Sequence, residues 1–161
     1  MDETWTGLAL VQPMRRREWE LRRGDEKVAE LRLPALRSGG SAQAAGRELA
    51  IRTRGLFRRE HTVVDAATGE EVASVRGRTL ELRGVERAQW KSLGRGSYGL
   101  IGPDGQPWLR AKVSSSTFRT TGQIEVAPGH DVAVAALLAA YLLIRKVEEA
   151  AAASAATVAA T

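Results

Sequence analysis

VAVAALLAAYLLI, residues Val132 to Ile144, carries no charge and has no polar face, and Arg145 and Lys146 follow it at once. Thirteen residues rise only about 20 Å as an α-helix, short of the roughly 30 Å hydrocarbon core of a bilayer. A helix that is apolar on every side must still be buried. Where the membrane is too thick for it, the protein itself must surround it. The stretch therefore predicts a β-structure wrapped around a C-terminal helix.

The residues before it supply that β-structure. Trp19 and Leu21 alternate with Glu18, Glu20 and Arg22; Leu49 and Ile51 with Glu48, Ala50 and Arg52; Leu80 and Leu82 with Thr79, Glu81 and Arg83; Ile124 and Val126 with Gln123 and Glu125. Period two with one apolar face marks half-buried antiparallel strands. Arg23-Gly24-Asp25, Ala67-Thr68-Gly69, Arg83-Gly84 and Pro103-Asp104-Gly105 punctuate these runs with residues suited to tight turns. Counted run by run, they predict about a dozen short strands, in a barrel or a sandwich. The segment Ser38–Gly46 (SGGSAQAAG) reads as a flexible loop. Pro128-Gly129 breaks the last strand, and Asp131 is placed to cap the helix. The alanine-rich segment from Glu148 to Thr161 reads as a tail that prolongs the helix or frays.

At 161 residues the chain suits one domain, with a barrel over residues 1–147, its central helix over about 131–147, and the tail over 148–161. Cysteine is absent, which excludes disulfides and thiolate chemistry and fits a reducing compartment. The N-terminus begins acidic and lacks the apolar segment of a signal peptide, so the expected location is cytoplasmic. Net charge is +5, and the excess is local. Residues 47–59 hold five arginines against Glu48; residues 91–119 hold five Lys/Arg against Asp104. Such stretches attract nucleic acid, anionic lipid or acidic proteins without choosing among them.

No constellation for catalysis emerges, and no enzyme activity, metal or cofactor is expected. Gly94-Arg95-Gly96-Ser97-Tyr98-Gly99 matches G-x-G-x-x-G, but strands follow it where a dinucleotide site needs a helix. His61 and His130 fall in no metal-ligand spacing and read as surface or capping residues. Trp5, Trp19, Trp90 and Trp108 read as core or rim residues rather than as stacking platforms for bases.

About twelve antiparallel strands, hairpins of the VVDAATGEEVASVRG type, and a wholly apolar helix near the C-terminus together resemble the tubby C-terminal-like superfamily. That superfamily includes tubby proteins, phospholipid scramblases and LURP-one-related proteins. The resemblance spans roughly Leu8 to Val147 and rests on layout. It implies a closed twelve-stranded antiparallel barrel around a central hydrophobic helix, and, from the tubby relatives, recognition of anionic phospholipid or phosphoinositide-like headgroups. The arginines on either side of Gly55, namely Arg52, Arg54, Arg58 and Arg59, are the candidate anion-binding residues, because the guanidinium fork donates two hydrogen bonds to phosphate at once. Nucleic-acid binding through the same basic surface, and a scaffold role with a protein partner, are the alternatives.

Overall fold

A computed structural model of the protein describes residues 5–13, 17–34, 39–44, 46–55, 60–82, 86–115, 120–128 and 132–159. The strands are β1 (Thr6–Val11), β2 (Glu18–Arg23), β3 (Glu26–Arg32), β4 (Gly40–Ala44), β5 (Arg47–Arg54), β6 (Glu60–Asp65), β7 (Glu71–Arg76), β8 (Thr79–Leu82), β9 (Glu86–Gly94), β10 (Ser97–Ile101), β11 (Pro107–Ser115) and β12 (Thr120–Val126). Helix α1 spans Val132–Ala159. Each strand pairs antiparallel with its neighbour in sequence, and β1 pairs with β12, Thr6 opposite Val126, so the sheet closes on itself. Closure leaves no edge strand open to pair with another chain.

The alternation seen in the sequence is the wall of this barrel. Trp19, Leu21, Leu49, Ile51, Leu80, Leu82, Ile124 and Val126 all point inward and are buried. Their charged neighbours face out. An apolar interior with a charged exterior is the reverse of a barrel whose outer wall meets lipid. The interior is filled by α1: Leu137, Leu138, Ala139, Ala140, Tyr141, Leu143 and Ile144 are completely buried, and the alanines let the backbone of α1 approach the strands. The chain is thus a closed twelve-stranded antiparallel barrel around its own C-terminal helix, the layout of the tubby-like fold in general.

One sequence expectation is changed. The composition of Ser38–Gly46 predicts a flexible loop, yet Gly40–Ala44 is β4, paired on both sides with Arg32 opposite Ser41 and Ala42 opposite Leu49. Small residues are required there rather than merely tolerated. A Cβ on Gly40 would lie 2.6 Å from both the Arg32 carbonyl oxygen and Leu33 Cδ2, and Ala42 and Ala44 are buried against the interior. Of the two readings of the alanine-rich segment, prolongation holds: α1 runs on through it to Ala159. From Glu149 onward α1 is exposed on all sides, so about 16 Å of helix projects beyond the barrel. Asp131, the expected cap, lies outside the described residues.

Candidate anion-binding surface

Strand direction alternates around the ring, so the connections divide between two ends of the barrel. The helix enters at one end, beside the β10–β11 turn, and leaves at the other, beside the start of β6. At the exit end the described connecting residues include Arg17, Arg78 and Arg95 and no acid. At the entry end they include Asp25, Glu70 and Asp104 and no base. Among the described connecting residues the two ends differ in sign, while α1 carries Glu148, paired with Arg17, and exposed Glu149 out of the exit end.

Arg52 and Arg54 occupy outward positions near the exit end of β5, opposite Thr62 and Glu60. Both are exposed, and neither has an ion-pair partner among the described residues. Glu60 is engaged elsewhere: Arg76 Nε donates to its carboxylate at 2.9 Å, a bond that holds the Arg76 guanidinium still more firmly protonated. Gly55 follows Arg54 with φ of 90°, a backbone region that favours glycine and turns the chain out of β5. Arg58 and Arg59 lie outside the described residues.

The second basic stretch assembles on neighbouring strands. Lys91 on β9 lies opposite Gly99 on β10, which lies opposite Arg110 on β11; Lys112 lies opposite Ser97. With no side chain at Gly99, the Lys91 and Arg110 stems flank bare backbone and Leu93, which is 53% exposed. Arg110 sits over the Trp5 ring at 4.7 Å. Arg119 lies outside the described residues. The two stretches do not form one patch: β5 is four strands from β9 and six from β11 in a ring of twelve.

The G-x-G-x-x-G motif is the β9–β10 hairpin. Arg95 and Gly96 take φ of 50° and 73°, the left-handed values that a two-residue turn needs. Trp90 faces inward and stacks on Tyr98 with centroids 5.3 Å apart, so neither offers its face to a base. Trp19 is in the core; Trp5 and Trp108 are half-buried at the outer wall.

His61 has a role its sequence context conceals. It is half-buried and points inward, sharing parity with buried Val63. Its Nδ1 lies 2.9 Å from Thr53 Oγ1 and 3.2 Å from the Tyr141 hydroxyl, which also accepts from the Gly39 amide at 3.3 Å. His61 therefore clasps the helix instead of lying on the surface. One turn on, Arg145 donates to the Gly39 carbonyl at 3.2 Å and to Glu148, whose other oxygen accepts from Arg17 at 2.6 Å. The only sequence signal for this clasp is Tyr141, the single polar group in the apolar run, whose hydroxyl must find a partner once buried. His130 lies outside the described residues.

Two shallow grooves of about 310 and 330 Å³ run over β4, between Lys27, Glu30 and Arg32 on one side and Arg47 and Glu48 on the other. A hydrogen bond from Lys27 is the main cause that holds the Glu30 carboxyl below its usual range, with a further one from Arg32. Both signs of charge line these grooves, so they are not an anion site. Among the described residues, no group of three or more His, Cys, Asp or Glu could hold a metal ion, and no helix is long and apolar enough to cross a membrane.

Comparison with protein-family models, with curated proteins and with solved structures found no match to this chain. The fold and the two basic surfaces define a plugged antiparallel barrel with basic patches on its exterior, and the functional reading rests on them.

Proposed function

We propose that this protein is a non-enzymatic barrel, a divergent relative of the tubby and LURP-one-related proteins, that recognises anionic lipid headgroups at a membrane surface through the arginines around Gly55. The observation that carries the reading is the exposed pair Arg52 and Arg54, which has no ion-pair partner among the described residues. Each basic residue held near an anionic bilayer contributes about 1 kcal/mol of attraction. The interior, where a barrel of this size could hold a small ligand, is filled by α1, and the polar groups at its mouth are engaged in holding the helix. That supports a surface function over a carrier or a catalyst. The half-buried or inward-facing tryptophans favour lipid over single-stranded nucleic acid, which takes exposed aromatics among its basic contacts.

The test is flotation of the purified protein with neutral vesicles, anionic vesicles, and anionic vesicles plus competitor DNA, at near-physiological salt. Retention on anionic vesicles alone, undisturbed by DNA, is expected. Reversing Arg52, Arg54, Arg58 and Arg59 to glutamate should weaken it at least several-fold. No retention defeats the lipid reading, and undiminished retention of the reversed variant defeats the arginine assignment.

A further inference from the structure

The two basic stretches lie on different sides of one rigid ring, β5 being four strands from β9 and six from β11. The first face carries Arg52 and Arg54 on β5; Arg76 and Arg78 lie between the two faces, the Arg78 carbonyl accepting from the Trp90 amide of β9 at 2.6 Å. The second carries Lys91, Arg110 and Lys112 on β9 and β11, with Arg95 in the turn. All of these side chains are exposed, and among the described residues only Arg76 is in an ion pair. No acid occupies a described outward position of β9, β10 or β11; at the margin of this face Glu125 of β12 lies opposite Arg110.

A twelve-stranded barrel with strands about 4.8 Å apart and tilted by about 40° is roughly 25 Å across its backbone. The Debye length at physiological salt is about 8 Å, so neither face senses the other's charge. Neutralising one face against an anionic surface leaves the other fully attractive. Strand separation prevents both from meeting the same flat surface when the barrel lies on its side. The projecting end of α1 excludes the other approach, because it stands about 16 Å out from the end toward which both faces lean and keeps that end off a planar bilayer. On its side, the barrel keeps this projection parallel to the surface and out of the way.

We propose that the protein bridges two anionic lipid bilayers, the Arg52/Arg54 face on one and the Lys91/Arg110/Lys112 face on the other. This rests on the headgroup-binding reading above and adds a tethering activity to it. The second face suits lipid by its chemistry. Leu93, exposed between Lys91 and Arg95, can enter the headgroup layer while the basic groups around it stay at phosphate level. Of the nearest aromatic side chains, Trp90 and Tyr98 are turned inward, Trp5 is covered by Arg110 and Trp108 is half-buried.

The test pairs two readouts on vesicles of phosphatidylcholine with and without phosphatidylserine: flotation for binding, dynamic light scattering for clustering. Two variants are compared with the wild type, Arg52→Glu/Arg54→Glu and Lys91→Glu/Lys112→Glu. The second leaves Arg110 on Trp5, and thermal melts check that both stay folded. The wild-type protein should float with the serine-lipid vesicles and enlarge their scattering radius several-fold, with no effect on neutral vesicles. Each variant should still float at saturating lipid, and neither should cluster. Flotation of the wild type without clustering overturns bridging and leaves the headgroup reading standing. Clustering that survives in either variant, as it would if self-association of the protein joined the vesicles, overturns it too. So does loss of all flotation in one variant, which would mean a single working face. Dispersal of the clusters by DNA at equal phosphate assigns the surfaces to nucleic acid and removes both readings, as does absence of flotation by the wild type.

Discussion

Tyr141 shows how one polar atom sets the register of an otherwise featureless plug. Alanines and leucines of α1 could slide along the barrel axis at small cost, because dispersion contacts are individually weak and non-directional. The hydroxyl of Tyr141 removes that freedom by meeting the Gly39 amide, Thr53 and His61 at one depth only. Gly39 is itself constrained: its φ is 92°, and a Cβ there would lie 2.5 Å from the Ile51 carbonyl oxygen. Tyr141→Phe keeps the ring and leaves the Gly39 amide without this acceptor, a loss of about 1–2 kcal/mol. For a chain of this length that lowers the melting temperature by roughly 2–8 °C. An unchanged melt would show that the clasp contributes nothing to stability. Tyr141 announces its need for a partner in the sequence, but Thr53 and His61 do not, because they are 88 and 80 residues away and meet it only when the barrel closes.

At the scale of elements, α1 and β4 are the informative pair. The burial of α1 follows from composition: an uncharged run too short for a bilayer has nowhere to go except inside. Leu138, completely buried, tests this most directly. Leu138→Asp puts a carboxylate where no partner is available, at a cost of several kcal/mol, a large fraction of the stability of a typical domain. The variant should give no cooperative melt; a soluble, cooperatively melting protein would contradict the plug. β4 is the opposite case. Gly40-Ser41-Ala42-Gln43-Ala44 has no large apolar residue and little intrinsic β-propensity, so its sequence resembles a loop. It is a strand because β3 and β5 present ladders on both sides and leave no space for larger side chains.

For the molecule as a whole, ring closure and helix insertion are coupled. β1 pairs with β12, and α1 follows β12, so the ring cannot close around its filling until nearly the entire chain is present. Contacts this distant in sequence make folding slow, on the scale of milliseconds to seconds. A chain ending at Pro128 retains every strand but lacks the filling, and should give no dispersed amide spectrum by NMR. A dispersed, stable spectrum would mean that the wall holds itself up without the helix. Separation of the two basic faces around the ring also belongs to this scale, since it does not exist before the ring is closed.

The apolar run Val132–Ile144 and the period-two alternation around Trp19, Leu49, Leu80 and Ile124 determined, unaided, that this chain is a β-structure wrapped around its own helix; closure into a barrel rather than a sandwich is a property of the strand pairing. Burial preferences act residue by residue and leave a local trace. The clasp of His61 on Tyr141, the strand at Gly40–Ala44 and the placing of Arg52 and Arg54 across the ring from Lys91 and Lys112 were decided only by tertiary structure. Each depends on which residues far apart in the chain become neighbours, or opposites, and that follows from the order and closure of the strands.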